Sequence, residues 1–353
     1  MKIKRRRTRR LLVGNVPVGG GSPVAVQSMT KTDTRDVKAT LRQIRALAGA
    51  GCEIVRLAVP DAEAALALGK IKRASPIPII ADIHFDWRLA VEAVRQGAHG
   101  LRINPGNIGA EWKLKEVVSA LKERGIPVRV GVNAGSVPKD LLKKYGHPSA
   151  GALVSAGERQ IAMLNKLGYD NIKVSLKASN VPSTVAAYRA FSKRHDYPLH
   201  IGITEAGPLF PGLVKSSVGL GILLAEGIGD TIRVSLTDSP AHEVRAAYEI
   251  LKSLGLRKRG PEITSCPTCG RCSVDLRALV KQAEKRLKAV NAPIRVAIMG
   301  CAVNGPGEAK EADIGIAAGK GAGVLFKAGR PLRNLKADAL LDALMDEIKR
   351  TWK

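Results

Sequence analysis

Four cysteines in the last third of the chain have the spacing of a metal or iron-sulfur site. Cys266, Cys269 and Cys272 form a C-x2-C-x2-C run, and Cys301 follows downstream in the segment GCAVNGPGE. Short C-x2-C loops bring two sulfurs onto one ion or cluster because the backbone between them turns tightly. A zinc ribbon would favour a second C-x2-C pair or paired histidines, which this segment lacks, so an iron-sulfur centre is favoured. Spacing alone assigns all four cysteines to a 4Fe-4S cluster.

The cysteine spacing leaves one alternative open. If one cysteine is a bystander, an iron of the cluster could take an oxygen ligand and touch a substrate directly. Glu308, seven positions after Cys301, is the nearest carboxylate for that place, although a helix-start or surface glutamate is the competing interpretation. Asn304 is either a turn residue or a polar group of the site. Cys52 stands alone before a strand and is interpreted as a small buried hydrophobe.

Cationic and amide side chains recur where short β-branched runs end. Arginine is costly to bury without a partner, so cations inside strand runs require anions nearby. Pairing with carboxylates such as Asp82 and Glu205 is one interpretation, but two carboxylates cannot neutralise five cations. We therefore predict a mouth that grips two phosphate groups, because guanidinium forks match phosphate oxygens; His84 is either a structural or a catalytic histidine. The strand-end set comprises Arg56, Asp82, His84, Arg102, Asn104, Arg129, Asn133, Lys173, Ser175, Lys177, Thr204, Glu205, Arg233 and Ser235.

Eight candidate strands alternate with amphipathic stretches along the first 240 residues. Four of those stretches are predicted helices, at 37–50, 111–123, 155–167 and 183–193. Eight such repeats are the count of a parallel (β/α)8 barrel, whose working residues lie at the carboxyl ends of its strands. A doubly wound open sheet would carry a glycine-rich turn after its first strand, which is absent, so a TIM-type barrel is favoured. The predicted strands are 24–30, 53–59, 77–84, 100–106, 128–133, 172–178, 199–204 and 231–236.

The pattern changes after Leu254, where a basic segment punctuated by glycine and proline runs into the cysteines. We predict a barrel over residues 1–254, a linker at 255–260 and a smaller α/β domain over 261–353. The predicted elements of this domain are a helix at 273–290, a strand at 294–299, a second strand at 313–317, a strand pair near 323–327 and a closing helix at 334–352.

Composition narrows the function classes. The net charge is +26, from 57 Lys+Arg against 31 Asp+Glu, and it invites a nucleic-acid interpretation. Aromatic residues are only 3% of the chain and no nucleic-acid motif is found, so we expect a basic surface that attracts anionic substrates or acidic partners instead. The first ten residues read as a mobile basic arm. The chain shows no membrane span or export signal, which predicts a cytoplasmic protein with reduced thiols.

Nine ordered motifs spread over nearly the whole chain carry a family resemblance. The motifs are VQSMT-x-TDT (26–34), ADIHFD (81–86), LRINPGN (101–107), RVGVNAGS (129–136), IKVSLKAS (172–179), GITEAG (202–207), IRVSLT (232–237), SCPTCGR (265–271) and MGCAVNGPGE (299–308). Together they make the chain resemble the 4-hydroxy-3-methylbut-2-enyl diphosphate synthase family of the non-mevalonate isoprenoid pathway.

The resemblance implies an oxidoreductase that opens and dehydrates 2-C-methyl-D-erythritol 2,4-cyclodiphosphate with two electrons. It implies a barrel followed by a domain whose 4Fe-4S cluster is held by Cys266, Cys269, Cys301 and Glu308. This ligand set replaces the assignment from spacing, and it makes Cys272, which departs from the family pattern, a bystander.

The resemblance also implies roles for individual residues and partners. Glu205 would donate the proton that lets a hydroxyl leave as water. Glu308 would be a displaceable ligand, and Asn304 would hydrogen-bond the substrate. The diphosphate would be held by Arg56, Asp82, Arg102, Arg129, Asn133, Lys173, Thr204, Arg233 and Ser235.

Ferredoxin or flavodoxin would supply electrons, and a head-to-tail homodimer would bring one chain's cluster to the other chain's barrel. The alternative class is an electron-transfer or nucleic-acid-associated iron-sulfur protein with an all-cysteine cluster.

Overall fold

The computed structural model describes residues 3–301 and 311–352, and it divides the chain into two compact units. The first unit is Met1–Arg257 and the second is Lys258–Lys353. Each unit has its own buried apolar core. Within the described residues, no helix combines the length and apolar character needed to cross a membrane.

The first unit opens with a short hairpin that the sequence did not predict. Strands β1 (Arg10–Val13) and β2 (Val16–Gly19) pair antiparallel. Leu11, Val13 and Val18 pack against residues at the amino-terminal ends of the following barrel strands, so the hairpin closes that end of the barrel.

The predicted mobile arm is wrong, because the residues before the hairpin are anchored. Arg5 forms an ion pair with the buried carboxylate of Asp230, with 3.0 Å between its guanidinium nitrogen and the Oδ1 atom. The Arg6 guanidinium donates to the backbone carbonyls of Ser192, His195 and Tyr197. Charged hydrogen bonds to buried acceptors hold this segment in place.

Eight parallel strands then close into a ring, which confirms the TIM-type barrel. The strands are β3 (Ala25–Met29), β4 (Ile54–Ala58), β5 (Ile79–Asp82), β6 (Gly100–Ile103), β7 (Val128–Asn133), β8 (Ile172–Lys177), β9 (His200–Ile201) and β10 (Thr231–Ile232). Their order around the sheet is β8-β7-β6-β5-β4-β3-β10-β9, and a bridge between Val174 and Leu199 joins β8 to β9. All eight predicted runs contain a strand, although β9 and β10 pair over two residues each.

Helices surround the barrel, and their ends carry the expected signals. For example, Asp36 caps the first helix by accepting from the Ala39 amide, and Gly51 ends it with a left-handed φ of 103°. The helices are α1 (Val37–Ala50), α2 (Ala62–Ala74), α3 (Trp87–Arg95), α4 (Pro105–Ile108), α5 (Glu111–Arg124), α6 (Lys139–Tyr145), α7 (Ala150–Lys166), α8 (Val181–Ser192), α9 (Leu209–Ala225) and α10 (Pro240–Ser253).

The second unit is a five-stranded sheet in the order β11-β12-β13-β14-β15. Strands β11, β12 and β13 run parallel to one another, and β14 runs antiparallel to both β13 and β15. Leu287 of one helix and Leu344 of the other share a core with sheet residues such as Ile316. The elements are β11 (Glu262–Ser265), α11 (Leu276–Leu287), β12 (Arg295–Met299), β13 (Ile314–Ala318), β14 (Ala322–Lys327), β15 (Arg330–Lys336) and α12 (Leu340–Thr351).

One sequence expectation for this unit is corrected. The closing helix does not begin at Asn334, because Asn334 pairs with Val324 in the β14–β15 ladder and the helix starts at Leu340. Strand β11, which the sequence did not predict, follows the predicted linker at 255–260 and pairs with β12.

Candidate functional site

A cavity of about 240 Å³ opens at the carboxyl ends of the barrel strands. Most predicted substrate-binding residues line this cavity, and Lys173 is the exception. The lining consists of Met29, Arg56, Asp82, His84, Arg102, Arg129, Asn133, Ser175, Lys177, Thr204, Arg233 and Ser235.

Strand register places the cations side by side. Arg102 on β6 is in register with Asp82 on β5 and with Arg129 on β7, and Arg129 is in register with Lys173 on β8. Side chains of alternate residues in a strand point to the same face, so these residues share the barrel interior. Glycine makes room among them: a β-carbon at Gly131 would lie only 2.8 Å from Arg102 Nε.

Asp82 is the carboxylate at the centre of the cavity. Its Oδ1 atom lies 3.0 Å from Arg102, and its Oδ2 atom lies 3.3 Å from Arg56 and 3.7 Å from His84. Burial opposes ionisation, but Arg56, a hydrogen bond from His84, and Arg102 together hold the pKa of Asp82 well below its usual range. The ring of His84 also accepts from Arg102 at 3.4 Å, which fits the structural interpretation of this histidine.

The cations that line the cavity outnumber its carboxylates. Burial, followed by repulsion from Arg56 and Arg102, holds the pKa of Arg129 well below its usual value. Its Nε and one terminal nitrogen are buried and bond to no described residue. Burial and repulsion from Arg129 and Arg233 likewise lower the pKa of Lys177. Burial, partly offset by Asp82, lowers the pKa of Arg56 to about 9. Uncompensated buried charge of this kind is destabilising unless an anion enters.

Lys173 lies buried on the strand that carries Ser175 and Lys177, outside the cavity lining. It is 1% exposed, and its ammonium nitrogen makes no hydrogen bond to the part of the chain that is described. Burial and the charge of Arg129 lower its pKa to about 7.

Glu243 is the second carboxylate of this region, and sequence reasoning missed it. It lies on α10, is 1% exposed, and accepts from the Ser28 hydroxyl and the Leu236 amide at 3.1 and 3.0 Å. Its Oε2 atom is 4.0 Å from Arg233, and Lys31 approaches within 3.3 Å of Oε1. The only sequence signal was a glutamate in the first turn of a helix that follows a strand.

Glu205 does not pair with the barrel cations in the described structure. It is exposed, lies outside the cavity lining, and follows Thr204, which does line the cavity. Its φ of 52° is left-handed, a conformation that is uncommon for a residue other than glycine and is found preferentially at functional sites. Asn104 is also absent from the lining, because its side chain caps α4 by accepting from the Gly106 amide.

The cysteines of the second unit follow the ends of adjacent strands. Cys266 comes directly after β11, and Cys301 comes two residues after β12, so parallel pairing brings both to one edge of the sheet. The Gly300 amide donates to Cys266 Sγ at 3.4 Å. Cys269 is exposed in the loop between β11 and α11.

Cys272 shares much of its environment with Cys266. Its thiol donates to the Val274 carbonyl at 3.3 Å, and its sulfur lies against Gly300, whose amide donates to Cys266. Both cysteines contact the apolar core of the unit. Asn304 and Glu308 lie outside the described residues. Among residues that are described, no three possible metal ligands form a compact group.

Cys52 is the small buried hydrophobe that the sequence predicted. It is 3% exposed, and burial raises the pKa of its thiol to about 12.

The fold and the cation-lined cavity define a class: this is a (β/α)8-barrel protein with a cation-lined cavity at its strand ends and a separate thiol-bearing unit. Family comparison specifies it further. The GcpE TIM-barrel domain matches residues 8–248, and the GcpE protein C-terminal domain matches residues 262–350. The chain belongs to the GcpE family.

Named relatives agree with this assignment. The chain is 63% identical to the 4-hydroxy-3-methylbut-2-en-1-yl diphosphate synthase (flavodoxin) of Thermodesulfovibrio yellowstonii, over 99% of this chain and 100% of that protein. It is 60% identical to the Geobacter sulfurreducens protein of the same name, over 99% and 98% of the two chains.

Solved structures add support for the fold alone. The dihydropteroate synthase of Yersinia pestis aligns with a TM-score of 0.51 at 14% identity, over 70% of this chain and 97% of that one. The dihydropteroate synthase of Coxiella burnetii aligns with a TM-score of 0.51 at 15% identity, over 71% and 98%.

Proposed function

We propose that this chain converts 2-C-methyl-D-erythritol 2,4-cyclodiphosphate into 4-hydroxy-3-methylbut-2-enyl diphosphate, a reductive step of isoprenoid precursor biosynthesis. The observation that carries the proposal is the excess of buried cations over carboxylates in the barrel cavity. A substrate with two linked phosphates supplies the charge that these cations lack. The named relatives are synthases, so the alternative of a carrier or nucleic-acid-associated iron-sulfur protein is not favoured.

Binding of the diphosphate follows from the contacts in the cavity. Arg56 and Arg102 are already oriented by Asp82, and this limits the conformational entropy that they lose when a phosphate arrives. The unbonded nitrogens of Arg129 are donors free to meet phosphate oxygens. Asn133, Ser235 and Thr204 add neutral donors around the same space. The site is therefore organised to bind the substrate before any reaction occurs.

The residues of the second unit fit an iron-sulfur cluster of the 4Fe-4S type. Cys266, Cys269 and Cys301 supply the thiols, and Cys266 already accepts an amide hydrogen bond of the kind that stabilises a thiolate. Glu308 is proposed as the fourth ligand on the strength of the family resemblance. When bound, such a cluster supplies electrons and a Lewis-acidic iron.

The overall conversion takes up two electrons, opens the carbon-oxygen bond that closes the ring, and releases a hydroxyl as water. The departing hydroxyl therefore needs a proton, and Glu205 is the proposed donor. The support is its position next to Thr204 and its left-handed backbone conformation, which the fold must stabilise against its intrinsic cost. Asn304 is proposed to hydrogen-bond the substrate, again from the resemblance.

Turnover of the cyclic diphosphate by the anaerobically reconstituted protein tests the proposal. We expect wild-type protein to form the linear diphosphate with a reduced viologen as donor. Glu205→Gln should keep the cluster spectrum and lose roughly 100-fold or more in kcat, the usual scale for removing a general acid. A wild-type protein that holds a cluster yet leaves the cyclic diphosphate unchanged would refute the function.

A second copy of this chain is the proposed occupant of an apolar stripe on α9. Phe210, Val214, Val218 and Ile222 recur every fourth residue and are 77%, 49%, 51% and 36% exposed. An apolar cavity of about 580 Å³ lies beside them, between α9 and α10. A chain with net charge +26 repels its own copy, so an uncharged surface is where two copies can meet. The head-to-tail arrangement and the cytoplasmic location stay predictions.

A further inference from the structure

One edge of the second unit's sheet carries more than the cysteines. Because β11, β12 and β13 are parallel, their carboxyl ends share this edge with the turn between β13 and β14. The end of the last strand lies at this edge too, because Ala322 at the start of β14 pairs with Lys336 at the end of β15. Cys266, Cys301, Lys320 and Lys336 therefore lie along the same edge, which we call the cysteine edge.

Three cations at the cysteine edge are exposed and unpaired among the described residues. Arg271 lies in the cysteine loop, Lys320 lies in the β13–β14 turn, and both are exposed, as is Lys336. None of the three makes an ion pair or side-chain hydrogen bond with a described residue. Elsewhere in the unit, Arg286 pairs with Asp342 at 2.6 Å and Lys327 pairs with Glu347 at 3.0 Å, although other exposed cations such as Lys281 and Arg333 have no ion pair with a described residue. Asp338, two positions after Lys336, is exposed, and Asp275, four positions after Arg271, caps α11.

Accessible thiols and unpaired cations on one edge suit a particular partner. Cys269 is exposed and Cys266 is partly exposed, so a cluster held by these residues lies near the protein surface. A protein that delivers electrons must approach that surface, and complementary charge raises the rate of productive encounter. Because this edge is cationic, its partner must present an acidic face.

We propose that the cysteine edge is the docking surface for an acidic electron-carrier protein, with Arg271, Lys320 and Lys336 forming a cationic rim around the point of electron entry. The proposal rests on the proposed function and deepens it by naming the surface that the donor contacts. A nucleic acid is the competing polyanion, but none of the three rim residues is neighboured in sequence by an aromatic side chain on which a base could stack.

The chain offers a matched control for this surface. Arg330 starts the same strand that Lys336 ends, and it is likewise exposed and without an ion pair to any residue the structure describes. Six residues of extended strand separate the two cations by roughly 20 Å, about twice the screening length at 0.1 M salt. Arg330→Glu therefore makes the same charge change on the same strand, away from the cysteine edge.

The test compares two electron donors and measures binding directly. Lys320→Glu and Lys336→Glu should each lower kcat/KM for reduced flavodoxin by about tenfold at about 0.1 M salt, within the scale of electrostatic steering. Activity with a reduced viologen, a small donor that needs no docking, should stay at the wild-type level, and Arg330→Glu should resemble wild type with both donors. The Kd of oxidised flavodoxin, from flavin fluorescence anisotropy, should rise about tenfold in the two edge variants and converge with wild type in high salt.

Distinct outcomes separate the two proposals. Equal losses with viologen and flavodoxin, or equal losses in Arg330→Glu, would overturn the docking surface. The docking surface would also be overturned if a single-stranded oligonucleotide bound tightly, displaced flavodoxin and lost affinity in the two edge variants. A wild-type protein inactive with both donors would instead refute the proposed function and leave the flavodoxin Kd as the readout for the surface.

Discussion

At the scale of single residues, the cavity is dominated by charges that the chain does not neutralise. Asp82 forms ion pairs with Arg56 and Arg102, and Glu243 lies near Arg233. No carboxylate pairs with Arg129 in the described structure. Such an arrangement lowers the stability of the empty protein and favours an anionic ligand. Function and stability are therefore opposed at the same side chains.

Arg129→Ala tests the phosphate grip. Loss of a charged hydrogen-bonding partner weakens binding by about 1.5–3 kcal/mol, so KM for the cyclic diphosphate should rise roughly 10- to 100-fold. The cluster absorption spectrum should not change, since Arg129 belongs to the barrel. Arg124→Ala, at the exposed end of α5, is the control and should behave as wild type. An unchanged KM in the Arg129 variant would remove that residue from the proposed site.

Lys173 gives the site a dependence on pH. With its pKa lowered to about 7 in the empty protein, Lys173 is neutral above that pH, and an entering anion must draw a proton back. KM should therefore rise as pH increases from about 7 to 9, and Lys173→Met should flatten that rise. Lys193→Met, on the surface, is the control.

The same lysine should make the folded state more stable as pH rises, although substrate binding weakens over the same range. Between about pH 7 and 10 the unfolded chain binds more protons at this position than the folded chain, so folded stability rises with pH across that window. Lys173→Met should remove this contribution and raise the melting temperature of the empty protein at pH 7. A lower melting temperature together with an unchanged pH profile would contradict both roles.

At the scale of secondary-structure elements, parallel pairing explains how distant cysteines meet. Cys266 and Cys301 are 35 positions apart in sequence, yet each follows one of two paired strands that end at the same edge. Cys272 lies after a further turn, where its thiol bonds to Val274 beside Gly300.

The ligand set that the family resemblance implies predicts a difference in iron binding among these cysteines. Cys266→Ser, Cys269→Ser and Cys301→Ser should each lose the cluster, while Cys272→Ser should keep nearly full iron content, measured by iron analysis and absorption spectroscopy of anaerobically purified protein. Cluster loss in the Cys272 variant as well as in the other three would return Cys272 to the ligand set and restore the assignment made from spacing.

The anchored N-terminal segment makes a separate prediction about stability. Arg5→Ala leaves the 2%-exposed Asp230 without its ion-pair partner, which should lower the free energy of unfolding by about 2–3 kcal/mol. Arg7→Ala, two residues away and exposed, should change it little. Chemical denaturation of the two variants measures both values, and indistinguishable midpoints would mean that the segment does not hold the barrel closed.

At the scale of the whole molecule, the strongly basic surface and the uncharged stripe on α9 suit different kinds of partner. Cations attract acidic molecules over a distance, while the α9 stripe offers contact area without charge repulsion. Val218→Glu should convert dimers to monomers in sedimentation velocity, because it buries a charge at the centre of the contact. Leu66→Glu, at a 57%-exposed position on α2, is the control. Dimers that persist in the Val218 variant would place the contact elsewhere.

The sequence by itself determined the repeating elements, the barrel and the identity of most cavity residues. These are local properties: strand periodicity determines which side chains share a face, and the carboxyl end of each run marks the working end of a barrel. The C-x2-C spacing is also a local property, and it predicted the thiol-bearing unit.

Only the tertiary structure showed how deeply each side chain is buried, which charged groups pair and how the barrel is closed. It placed Lys173 outside the cavity lining, brought Glu243 from a helix toward Arg233, left Glu205 exposed, and folded the first residues onto the barrel. The physical reason is that burial and charge pairing depend on contacts between residues far apart in sequence. Those contacts arise only when the strands are staggered and closed into a ring, and no periodicity along the chain encodes them.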